Sequence, residues 1–293
     1  MSPEPKMFEK IPEKATWAIS LLLSLVLFLL SGLLVPACDS EPWRIWLLRS
    51  VPYTVLIASI LLFSAKALST PPSKLLAPSG VFRFSRMLLY CLIWMLCLAA
   101  VSAARALLSP QSFTRAENWR FFCPMLFSAL WFTAIQTFSE ELVFRVGLFR
   151  VMADEMPAEP GRQIVLSLCS GLVFAAFHIG TIDGLARDGG TLPAIKAAVF
   201  YLALGMLLMW LSLRQGGFEA AIGIHFGNNL FLDLVLDNSG STLMKNPAFL
   251  YHGAVTDAIL IEFAFCALVC IIVSTIIGGG HRGDKEHQNN GQD

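Results

Sequence analysis

ATWAISLLLSLVLFLLSGLLVPAC, residues 15–38, contains no Asp, Glu, Lys or Arg. A helix of about 20 residues crosses the hydrocarbon layer of a bilayer, and this stretch exceeds that length. Further charge-sparse runs follow at Ser50–Ala65, Met87–Ala104, Phe121–Ser139, Gln163–Ile182, Ala197–Leu213 and Phe263–Gly280. Over the 293 residues, 56% are hydrophobic, only 14% are charged, and mean hydropathy is +0.65. A soluble domain carries about 25% charged residues. The fold class that follows is all-α, a polytopic membrane helical bundle.

Eight helices are expected, at about 16–36, 47–67, 87–107, 121–143, 163–181, 194–213, 219–236 and 256–277. The seventh is the most polar, holding His225, Asn228, Asn229 and Asp233. TPPSK (70–74), MPAEPGR (156–162) and RDGGTLP (187–193) carry loop punctuation. With no internal repeat and no soluble insertion, residues 1–280 read as a single integral-membrane domain. Residues 281–293 (HRGDKEHQNNGQD) read as a disordered polar tail.

The lysines and arginines are biased toward the N-terminal segment (Lys6, Lys10, Lys14) and the 66–86 connection (Lys66, Lys74, Arg83, Arg86). The positive-inside rule then puts both termini in the cytoplasm, and a bacterial plasma membrane is preferred to the endoplasmic reticulum. Residues 15–38 are too long for a signal-peptide core, so an uncleaved first helix is expected rather than lipoprotein-type cleavage before Cys38. Formal net charge is zero and no basic block suggests nucleic acid. The seven cysteines form no CxxC pair, which argues against a disulfide framework or a zinc knuckle.

Against this apolar background three polar clusters stand out, since an ionisable group at the bilayer centre costs roughly 2.5–3.5 kcal/mol on insertion scales. The first is Gln136…Glu140-Glu141-Leu-Val-Phe-Arg145. Glu141 and Arg145, four apart, share a helical face and suit an ion pair. Glu140 points about 100° away, with Gln136 one turn earlier as its hydrogen-bond partner. The second is Phe174-Ala-Ala-Phe-His178, and the third His225-Phe-Gly-Asn228-Asn229. His225, Asn229 and Asp233 form one stripe, while Asn228 points elsewhere. Each cluster also has a plain reading: carboxylates marking a helix end, an interfacial histidine, and polar contacts that join helices.

Together the clusters supply a carboxylate to activate water, an imidazole to handle protons, and donors for an oxyanion. Amide hydrolysis needs those parts. HExxH and GxSxG are absent, and no Ser or Cys stands beside a histidine in the clusters.

EELVFR (Glu140–Arg145), FAAFH (Phe174–His178) and HFGNN (His225–Asn229) resemble, in order and on separate helices, the EExxxR, FxxxH and HxxxN motifs of the CPBP family. That family comprises CAAX prenyl endopeptidases and bacteriocin-processing or immunity membrane proteins. One departure is Val146, which stands between Arg145 and Gly147 where many relatives have Gly directly. The resemblance implies a CPBP-type domain with its site between helices four, five and seven. It also implies an intramembrane endopeptidase of the glutamic type. Glu140 is then the general base, His178 assists it, and His225 and Asn229 form the oxyanion site, with Glu141 and Arg145 in support. The implied substrate is a membrane-embedded, lipid-anchored or C-terminal-signal peptide or protein. No cofactor is expected. Zinc on Glu140, His178 and His225 is the alternative. A non-catalytic immunity or scaffold protein is a second reading of the same residues, and an ion or proton transporter is a third.

Overall fold

The computed structural model describes residues 13–33, 42–67, 71–78, 81–116, 122–153, 156–157, 159–238, 247–252 and 256–289. Lys6, Lys10, the cleavage point before Cys38, and residues 290–293 lie outside the described residues. The helices are α1 (Glu13–Leu33), α2 (Pro42–Ala67), α3 (Pro72–Leu76), α4 (Phe84–Leu108), α5 (Phe122–Glu141), α6 (Leu148–Met152), α7 (Pro160–Phe177), α8 (Ile179–Gly189), α9 (Thr191–Gln215), α10 (Glu219–Leu234) and α11 (Thr256–Asn289). A π-helical turn, Leu142–Gly147, joins α5 to α6. All eight expected helices are present.

Three differences mark where composition misleads. The fifth helix stops at Phe177, and the backbone turns at His178 (φ −98°, ψ 11°) into the separate, amphipathic α8. Residues 187–193, read as a loop, are instead the end of α8, Gly190 at φ +83°, and the start of α9. Glycine tolerates that left-handed backbone at no steric cost, so one residue does the work of a loop. Finally α11 continues through the polar segment that composition reads as structureless, as far as Asn289.

Six helices among the described residues are long and apolar enough to cross a membrane: α1, α4, α7 and α9, plus Leu47–Lys66 of α2 and Ala258–Ile277 of α11. The lipid-facing character is visible in α1, where Leu22, Leu29 and Leu33 are more than half exposed, and in α4 at Leu92 and Leu96. Water-soluble folds rarely leave so many large apolar side chains uncovered on long apolar helices. The protein is an integral, multi-pass membrane protein. Helices α5 and α10, which carry two of the polar clusters, are the other two of the expected eight.

Helix α10 is the centre of the bundle. Twelve of its 16 residues are buried, and it packs on α4, α5 and α9. Gly223 and Gly227 let it lie directly on α4: a Cβ at Gly223 overlaps the Met87 carbonyl oxygen, and one at Gly227 comes within 2.8 Å of the Cys91 carbonyl. This is the small-xxx-small contact of membrane helix pairs. The partners Met87–Gly223 and Cys91–Gly227 make α4 and α10 parallel. On α10's other side, Thr133–Asp233 and Glu141–His225 make α5 antiparallel to it. Beyond the C-terminal ends of α4 and α10 sits a small sheet in the order β1 (Phe113–Arg115), β3 (Phe249–Tyr251), β2 (Leu236–Asn238).

Candidate active site

His225 lies six residues into α10, about 9 Å along the helix from its first residue, and is 2% exposed. Its ring bridges two carboxylates. Nδ1 donates to Glu141 Oε1 at 2.6 Å, while Nε2 faces Glu140 Oε2 at 3.6 Å. Adjacent glutamates on a helix project about 100° apart, and an imidazole presents its two nitrogens in different directions, so one ring reaches both. Glu141, expected to pair with Arg145, thus has His225 as a second partner.

The expected Glu141–Arg145 ion pair forms, with Nη1 3.2 Å from Oε1 and both side chains completely buried. The Arg145 guanidinium also lies over the Phe174 ring, 4.5 Å from its centroid, a cation–π contact. Arg145 belongs to the π-helical turn, all six residues of which are buried. Such turns interrupt α-helices mostly as single insertions and often at functional sites. Ser170 on α7 donates to the carbonyl of Phe144 in this turn, at 3.0 Å. Glu140 receives the expected hydrogen bond from Gln136, Nε2 to Oε1 at 3.0 Å. Its Oε2 is buried and has no hydrogen-bond donor.

His178 reaches the same region from α7. Its Nδ1 bonds the Phe174 carbonyl at 2.7 Å, which leaves Nε2 as the nitrogen available to a reactant. The Phe174 ring stands between the two histidines, with centroids 4.4 Å from His178 and 5.5 Å from His225. His178 is half-buried, whereas His225 is enclosed.

Asn229 is half-buried, one turn beyond His225. Asn228, expected to point away from the site, proves to be its support. It accepts from Trp94 Nε1 at 3.2 Å and donates through Nδ2 to Asn229 Oδ1 at 3.2 Å. With its oxygen engaged, Asn229 presents its NH2 group as a donor. Asp233 completes the polar stripe but is used by Thr133 Oγ1 at 2.6 Å. Sequence reasoning left Trp94 unremarked and placed Asn228 away from the site.

No group of three or more His, Cys, Asp and Glu side chains converges as a metal-binding set among the described residues. Both Nδ1 atoms are engaged, one by a carboxylate and one by a backbone carbonyl. Glu140 and the two Nε2 atoms are therefore the only donors that the zinc alternative has to draw on from its expected set.

The buried Glu141, Arg145 and His225, together with the half-buried Glu140, His178 and Asn229, form a polar cluster inside a membrane helix bundle. Residues 121–231 match the family described as type II CAAX prenyl endopeptidase Rce1-like. All three motifs fall in that interval, so the motif-based resemblance and this match rest on the same stretch of the chain. The chain is also 25% identical, over 238 residues, to a protein of Bacillus subtilis (strain 168) described as uncharacterized protein YyaK. That alignment covers 78% of this chain and 76% of the relative. No solved structure matches.

Proposed function

We propose that this protein is an intramembrane endopeptidase that hydrolyses a peptide bond with glutamate-activated water. Its substrate class is a membrane-anchored, lipid-modified or C-terminal-signal peptide. The observation that carries the reading is the series in which Arg145 is ion-paired to Glu141 and Glu141 is hydrogen-bonded to His225, whose Nε2 faces Glu140. A purely structural ion pair needs no histidine held between two carboxylates. A hydrolase gains from one, because its base and its oxyanion donor must be held close together.

In this mechanism Glu140 takes a proton from water as the water oxygen bonds to the scissile carbonyl carbon. The carbonyl oxygen gains the electron pair of its π bond and is met by Asn229 Nδ2 and, when it carries a proton, by His225 Nε2. Collapse of the tetrahedral intermediate breaks the C–N bond, and the proton held by Glu140 passes to the leaving amine with His178 Nε2 assisting. Glu141 keeps the His225 tautomer and ring plane fixed throughout. Removing one oxyanion donor costs about 10²–10³-fold in kcat in well-studied hydrolases.

The test uses full-length protein in proteoliposomes with an internally quenched, S-farnesylated peptide ending in Cys-aliphatic-aliphatic-Ser, its products identified by mass spectrometry. Cleavage by wild type and its loss in Glu140→Gln are expected. Equal cleavage by Glu140→Gln removes Glu140 as the base.

A further inference from the structure

His178 sits at a weak point of the backbone. It is the residue at which α7 ends and the chain turns into α8, so helical hydrogen bonding does not by itself hold its ring in place. Three contacts do: Nδ1 bonds the Phe174 carbonyl at 2.7 Å, the Phe174 ring, one turn back, is tilted at 49° against the imidazole, and Tyr201 of α9 stacks on it at 4.1 Å and 21°. The Tyr201 hydroxyl also hydrogen-bonds the Thr181 side chain in the first turn of α8. Tyr201 therefore grips both sides of the α7–α8 junction, whose own backbone bond runs from Thr181 N to His178 O at 3.0 Å.

The register that puts Tyr201 there is built in. Helices α7 and α9 meet at Gly171 and Gly205, where a Cβ on Gly205 comes within 2.8 Å of the Gly171 Cα. Tyr201 is one turn before Gly205, and Phe174 and His178 are one and two turns after Gly171. The helices run antiparallel, so a single close contact aligns the three rings.

Resting on the protease reading, we infer that Tyr201 is a positioning residue for His178. Its ring fixes the plane in which Nε2 meets the reaction, and its hydroxyl ties that plane to α8. A displacement of about 1 Å in a reacting group costs on the order of 10²-fold in rate, and a two-ring clamp at a helix break guards against it.

The experiment pairs kinetics with a direct view of the ring. The protein has five histidines: His178, His225, His252, His281 and His287. Histidine-selective 13C labelling of the full chain in nanodiscs, assigned with His178→Gln, reads the His178 ring-current shift. Tyr201→Leu is expected to move the His178 resonance while leaving His225 in place, and to lower kcat on the quenched farnesyl peptide about 10- to 100-fold with KM unchanged. Tyr201→Phe, which keeps the ring and loses only the hydroxyl, is expected to keep the His178 resonance and recover most of kcat. Full kcat in Tyr201→Leu, or equal losses in the Leu and Phe variants, overturns the inference. If Glu140→Gln cleaves like wild type, or wild type cleaves nothing, it is the protease reading that fails. The histidine spectrum then decides the clamp alone: an unmoved His178 signal in Tyr201→Leu refutes it.

Discussion

Removing Arg145 separates what the buried charges do for stability from what they do for chemistry. At 3.2 Å and an effective dielectric constant of 20, the attraction between Arg145 and Glu141 is about 5 kcal/mol. Breaking a buried pair by deleting one partner costs about 3–5 kcal/mol, because the other charge stays behind uncompensated. Arg145→Leu is therefore expected to destabilise the bundle by that amount, with loss of the stack over Phe174 included. In Glu141→Leu/Arg145→Leu no charge is stranded. The remaining defect is His225 Nδ1–H without its acceptor, a neutral unsatisfied donor that costs about 1–3 kcal/mol.

The double variant should thus recover ~2 kcal/mol relative to Arg145→Leu. It should not recover cleavage, since the imidazole has lost the hydrogen bond that sets its tautomer and plane. Stability is read from reversible unfolding in mixed dodecylmaltoside–SDS micelles by far-ultraviolet circular dichroism, and activity from the quenched farnesyl peptide in the same preparation. Two results refute the reasoning. If the double variant is no more stable than Arg145→Leu, the cost does not come from a stranded carboxylate. If it regains wild-type cleavage, Glu141 serves only to balance Arg145.

Two further outcomes follow from the same geometry. Asn228→Leu should lower kcat by on the order of 10-fold, less than the 10²–10³-fold expected of Asn229→Ala, because it removes the Trp94–Asn228–Asn229 hydrogen bonds but not the donor itself. Equal kcat in Asn228→Leu and wild type dismisses that support. Exhaustive dialysis against 1,10-phenanthroline and EDTA should leave kcat unchanged, whereas a loss restored by zinc establishes the metal-dependent mechanism in place of the metal-free one.

What the residue string displays is the bundle and its polar positions, because both depend on local chemistry. A run such as Ala197–Leu213 is apolar whatever it packs against, and a carboxylate such as Glu140 is conspicuous in any apolar helix. Spacing of four correctly pairs Glu141 with Arg145 and Gln136 with Glu140, since those partners lie on one helix. Everything that crosses between helices is hidden. Glu141 and His225 are 84 positions apart and Trp94 and Asn228 are 134 apart, and no periodicity connects them.

The aromatic residues are hidden for a different reason. Phe174 and Tyr201 have the same hydrophobic character whether they face lipid, fill a core or clamp an imidazole, so composition assigns them to packing. Their function depends on register, which Gly171 and Gly205 set through a backbone approach that a Cβ on Gly205 would block. Those glycines are visible in the sequence as small residues in apolar runs, and they are the signal from which the third ring of the site becomes recoverable. Two antiparallel helices locked at one glycine pair bring together residues at matched offsets from it, which places Tyr201 opposite the Phe174–His178 turn before any side chain is built.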